Sequence, residues 1–111
     1  MVTQDVINKL YGVTTYQDDQ PENSTISTTP TKIVSNNPGA LQLTLINLGA
    51  SDMYIFTDES VSTTKGILIA ANGGNYEIDF TRFMLMPTYS WFGIVASGTT
   101  TIAMLRQCIL G

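Results

Sequence analysis

Histidine is missing from the 111 residues, and cysteine occurs once. The common zinc sites need several nitrogen or sulfur ligands, and Ser–His or Cys–His nucleophile pairs need an imidazole, so both classes of chemistry are excluded. An internal disulfide is excluded too, and Cys108, in the apolar tail "CILG", reads as a buried structural thiol. Charge is also scarce. Asp, Glu, Lys and Arg make up 13% of the chain, about half the usual share of roughly 25%. The five basic residues, Lys9, Lys32, Lys65, Arg82 and Arg106, are scattered under a net charge of −4. Without a basic cluster to displace counterions, direct binding of nucleic acid is not expected. No stretch approaches the roughly 18–20 apolar residues of a membrane helix. The amino end lacks the basic start and apolar run of a signal peptide. Synthesis and residence in a reducing cytoplasm are expected, unless the protein leaves on a larger particle.

Hydrophobic residues supply 43%, an ordinary share that supports one domain with its own core. With so little charge, the surface has to be covered by Thr, Ser, Asn and Gln. Such a surface repels neighbours weakly and suits a protein that sits against others.

The chain divides near residue 25. Residues 1–24 read as an amino-terminal arm, mainly extended. Within it "TQDVINKLYG" fits a short helix capped by Thr3, with Val6, Ile7, Leu10 and Tyr11 on one side and a stop at Gly12. The polar, acidic "VTTYQDDQPENST" follows as a linker with too little apolar material to join a core. Residues 25–111 read as a β domain, because the hydrophobic period becomes two. "LQLTLIN" sets Leu41, Leu43 and Leu45 against Gln42 and Thr44. "DMYIFT" is apolar on both faces, as in a central strand. "NYEIDF" sets Tyr76, Ile78 and Phe80 against Glu77 and Asp79. "GILIA", "YSWFGIVA" and "TTTIAMLRQ" complete the series. "TKIV" reads as an edge strand, since Pro30 before it cannot donate to a ladder. Turn signals separate the runs: Asn37-Pro38-Gly39, Leu48-Gly49-Ala50-Ser51, Asn72-Gly73-Gly74, Met86-Pro87 and Ser97-Gly98. Six or more short strands with no convincing helix between them predict an all-β fold, a single jelly-roll-like antiparallel β-sandwich.

The remaining candidates for chemistry are carboxylates and aromatics. Glu77 and Asp79 fall on the polar side of their strand, which predicts a solvated face rather than the facing pair of a glycosidase. Asp58-Glu59 predicts a turn, and a calcium site with Asp52 matches no EF-hand spacing. Gly73-Gly74 precedes a strand, so no helix terminus is present to hold a phosphate. Tyr89 and Trp91 share parity with Gly93 and Val95, which favours burial over a platform for sugar rings. No catalytic residue, metal ligand or cofactor is expected. The candidates for partner binding are Leu10, Tyr11 and Tyr16 in the arm, and Pro30 and Ile33 at the expected edge strand.

The Asn47-Leu48-Gly49 turn, the Ser/Thr-rich loop running into "GILIAANGG", and "ASGTTTIAML" form a layout that resembles the small capsid-decoration (cement or stapling) proteins of tailed bacteriophages. The resemblance covers residues 41 to about 106. It implies turn or strand-start roles for Asn47, Gly49, Gly66, Gly73, Gly74 and Gly98. It also implies a non-enzymatic virion subunit on the outer capsid surface, assembled in the host cytoplasm. Its partner would be the major capsid protein of the same phage. The subunit would form a homo-oligomer, a dimer at a symmetry axis or a trimer. A carbohydrate-binding or host-adhesion sandwich is the alternative, and it predicts exposed aromatics near Tyr89 or Tyr54.

Overall fold

The computed structural model describes residues 14–110. The short helix expected within residues 3–12, and with it Leu10 and Tyr11, lies outside the described residues. Nine strands occur among them: β1 (Thr14–Asp18), β2 (Thr25–Ile26), β3 (Thr31–Val34), β4 (Ala40–Asn47), β5 (Met53–Phe56), β6 (Ile67–Ile69), β7 (Asn75–Asp79), β8 (Trp91–Val95) and β9 (Thr100–Leu110). They form two antiparallel sheets. One runs β1-β9-β4-β7, with β2 also pairing β9; the other runs β3-β8-β5-β6. Apart from β1–β2 and the β5–β6 hairpin, successive strands cross from one sheet to the other, which is the two-sheet, Greek-key order of a jelly roll. The expected fold is therefore the observed one. β1 and β2 act as one interrupted strand, lying along the two ends of β9 at residues 106–110 and 100–101.

The core lies between the sheets. Leu43, Leu45, Ile78, Ile102 and Met104 meet Ile33, Met53, Ile55, Ile69, Trp91 and Val95. β5 is internal, flanked by β8 and β6; Met53 and Ile55 enter the core, and Tyr54 and Phe56 are half-buried on the other face. β3 is an edge strand, as its preceding proline implied.

Two β-bulges change the expected faces. In β4, Ala40 pairs Cys108 and Gln42 pairs Gln107. Leu41 is the extra residue, so Ala40 takes the buried place and Leu41 is half-buried. In β3, Lys32 pairs Phe92 and Val34 pairs Trp91, which makes Ile33 the extra residue. Ile33 and Val34 consequently both turn inward. Gly93 opposite them leaves the room: a Cβ there would stand 3.2 Å from Ile33 Cδ1 and 3.3 Å from Ile26 Cγ2.

The boundary at residue 25 moves. β1 pairs along β9 in continuous register from Thr14↔Leu110 to Asp18↔Arg106. The Glu22 N–H donates to the Ile33 carbonyl at 2.8 Å. Residues 14–24 thus belong to the sandwich. Composition misleads here because an edge strand is held by backbone hydrogen bonds, which need no apolar side chain.

An ion pair fastens β1. Arg106 donates to Asp18 at 2.7 Å, with both side chains mostly covered, and to the Ser35 carbonyl at 3.3 Å. The Gln20 N–H bond to the carboxylate, then Arg106, hold Asp18 below its ordinary value of 3.8 despite the opposing effect of burial. A carboxyl group depressed in the folded state stabilises the fold above its ordinary value, and that stability is lost as pH falls through the folded value. Asp58, hydrogen-bonded by Ser60, and Asp79, hydrogen-bonded by Thr81, are depressed as well. Thermal stability is expected to fall as pH drops below 3.8, and Asp18→Asn should flatten part of that decline. A melting temperature unchanged between pH 5 and pH 2 would overturn this expectation.

Candidate docking surface

The strand pattern of β7 ends at Asp79. Its carboxylate accepts from the Arg82 N–H at 2.9 Å and caps α1 (Phe80–Phe83). Arg82 closes the turn with an ion pair to the same carboxylate at 3.0 Å. Phe80 therefore leaves the β alternation that would have buried it beside Ile78. After α1, Met84 adopts φ 57°, ψ −115°, held by its N–H bond to the Phe80 carbonyl at 3.1 Å. A 3-10 turn at Met86–Thr88 follows, with Pro87 buried inside it.

This connection from β7 to β8 presents four large apolar side chains to solvent: Phe80 (43% exposed), Met84 (76%), Leu85 (65%) and Tyr89 (42%). Its underside is fixed. Phe83 packs on Tyr76 with ring centroids 6.0 Å apart, Trp91 Nε1 donates to the Met86 carbonyl at 3.1 Å, and the Asn37 N–H donates to the Thr88 carbonyl at 2.9 Å. The connection is thus held from beneath while its four large apolar side chains face solvent, which makes it the candidate contact surface. The sequence "FTRFMLMPTYS" carried a signal for it: an apolar run with neither period, between a capping Asp and a Pro.

The residues singled out from sequence do not converge on this surface. Tyr16 is exposed on β1, its hydroxyl accepting from Asn37 Nδ2 at 3.2 Å, so it stands at the same end of the sandwich. Pro30 is exposed at the far end, before β3. Ile33 is 0% exposed and is corrected to a core residue, since the β3 bulge turns it inward, away from any partner.

Among the described residues no group of three or more His, Cys, Asp or Glu is placed to hold a metal ion. No helix among them is long and apolar enough to cross a membrane. Asp52 accepts from the Ala71 N–H at 2.8 Å, whereas Asp58 accepts from the Ser60 N–H at 2.8 Å. Asp58 is thus occupied within its own turn, and Asp52 ties its turn to the loop after β6. Trp91 is fully buried and Cys108 is buried.

A second feature escaped the sequence reading. Asn47, expected only as a turn residue, is 0% exposed and joins three loops. Its Nδ2 donates to the Ser51 carbonyl at 2.7 Å and the Ile69 carbonyl at 3.1 Å. Its Oδ1 accepts from the Gly49 N–H at 3.2 Å and from Thr100 Oγ1 at 2.6 Å.

No family model matches the sequence, and no curated protein matches it. Among solved structures, a chain from Bacillus endospore appendages, described as a novel family of disulfide-linked pili, is similar at 16% identity. The match covers 89% of this chain and 91% of that one, with a TM-score of 0.56. At that identity the likeness is one of fold.

Proposed function

We propose that this chain is a non-enzymatic structural subunit that docks in many copies on a protein shell and stabilises it. The specific form we propose is decoration of the outer surface of a bacteriophage capsid through the major capsid protein. The observation that carries the proposal is the exposed apolar connection of Phe80, Met84, Leu85 and Tyr89 on a firmly built jelly roll. Cement needs a rigid body and a contact surface rather than a reactive group. A contact of a few kcal/mol per copy grows large when one subunit engages several neighbours at once.

A filament subunit is the second reading, favoured by the fold likeness to a pilus chain. That neighbour is disulfide-linked, whereas this chain's one cysteine is buried, so a filament of this chain would be held without Cys108 cross-links. The sugar-binding reading expects exposed aromatics near Tyr89 or Tyr54; Tyr89 and Phe80 are exposed in one connection, while Tyr54 is half-buried and Trp91 lies in the core.

The test is cosedimentation of the purified protein with capsid shells that lack it, followed by heating. Saturable binding and a raised rupture temperature are expected. Absence of binding at any concentration would refute the capsid form, and fibres in electron micrographs of the protein alone would transfer the proposal to filaments.

A further inference from the structure

The assembly reading leaves open what covers the apolar connection, and the following rests on that reading. Four exposed side chains offer on the order of a few hundred Å². Two such patches face to face fall short of the roughly 800 Å² per partner of a stable interface. A short amphipathic segment matches the size better, because it anchors through side chains spaced i, i+3 and i+4. The sequence holds one: Val6, Ile7, Leu10 and Tyr11 have that spacing, just before the described chain begins.

The fold determines where that segment enters. Thr14 pairs with Leu110, Ala40 with Cys108, and Gln42 with both Gln107 and Asp79. The start of β1 and the residue 80–89 connection therefore lie at one end of the sandwich. Asn37 links them physically, donating through Nδ2 to the Tyr16 hydroxyl and through its backbone to the Thr88 carbonyl. With segment and patch at the same end, two copies meeting end to end can each lend a segment to the other. Two reciprocal contacts close a two-fold dimer and bring the buried total toward the roughly 1,200–2,000 Å² of stable interfaces.

We propose that residues 1–13 of one copy dock, apolar side down, on Phe80, Met84, Leu85 and Tyr89 of a second copy. The test uses the full-length chain with the photo-crosslinker benzoylphenylalanine in place of Leu85, an exposed position at which folding should be unaffected. Equal amounts of ¹⁴N- and ¹⁵N-labelled protein are mixed, irradiated and digested. Crosslinks from position 85 to residues 1–13, in mixed-isotope pairs at dimer mass, are expected. Adding Leu10→Asp should lower their yield at least tenfold with the melting temperature unchanged. Single-isotope pairs alone would show the segment docking on its own chain and overturn the proposal. Crosslinks to another segment, or none, would overturn it too. The experiment needs no shell, so its failure leaves the capsid test standing, and failure of the capsid test leaves the dimer standing.

Discussion

Asn47→Ala is expected to destabilise the protein by about 3 kcal/mol and to lower its melting temperature by on the order of 15 °C. The Asn47 amide has two N–H groups and one oxygen with two lone pairs, and all four positions are engaged. Alanine would leave the Ser51 and Ile69 carbonyls, the Gly49 N–H and the Thr100 hydroxyl without this partner, the Ile69 and Thr100 groups at a buried site. Each orphaned buried group costs about 1–3 kcal/mol, and partial entry of water relieves some of the sum. The backbone of Asn47 is tied in as well, its N–H donating to the Gly74 carbonyl at 2.8 Å and its carbonyl accepting from Gly73 at 2.7 Å.

Thr100→Val removes only one of these bonds and should cost about 1 kcal/mol. The two effects should not add in a double-mutant cycle, since they share a bond. Gly49→Ala attacks the same hub from another side, as its Cβ would stand 2.0 Å from Thr100 Oγ1. Denaturant titrations decide the matter. A loss below about 0.5 kcal/mol for Asn47→Ala would mean that water replaces the amide.

Trp91→Ala is expected to be the most damaging single change, at about 4 kcal/mol. The ring is fully buried between the sheets, and its removal leaves a cavity that β8 cannot close, because Gly93 and Val95 beside it are small or already packed. The effect reaches the docking surface. Trp91 Nε1 holds the Met86 carbonyl, so molecules that stay folded lose the anchor beneath Met84 and Leu85. Trp91→Phe keeps most of the volume but not the N–H. It should cost about 1–2 kcal/mol and weaken docking beyond what its stability loss explains. Blue-shifted, quencher-resistant fluorescence is expected for the wild type. A water-exposed emission would overturn the burial and return Trp91 to the candidates for a sugar platform.

Local periodicity made much of the fold legible. The alternation in β4, the two apolar faces of β5 and the even spacing of turn signals together specified antiparallel strands in a sandwich. Asn72 at φ 60°, Gly73 at φ 102° and Gly98 at φ 70° sit at turns that their residue types announced, because those side chains tolerate the left-handed region. Pro30 identified an edge. The burial of Cys108 and Trp91 followed from their apolar neighbours. These are short-range properties, and a sequence carries them openly.

What the tertiary structure decided depended on partners far away in the chain. Ile33 became core because β3 bulges against β8, some sixty residues later. Residues 14–18 joined the sheet because β9, at the other end of the chain, offered them a ladder. Asn47 ceased to be a plain turn residue once Thr100 and Ile69 were brought beside it. Phe80, in phase with Ile78, was turned out to solvent when Asp79 began a helix instead of continuing a strand. For Ile33, residues 14–18 and Asn47 the choice fell to a hydrogen bond or register with a distant segment, whereas Phe80 was decided locally, by the Asp79 cap on the Arg82 N–H three residues on. The sequence by itself determined the strands from β3 onward, their turns and the scarcity of reactive groups. Only the packed sheets decided which apolar residues became core and which became surface.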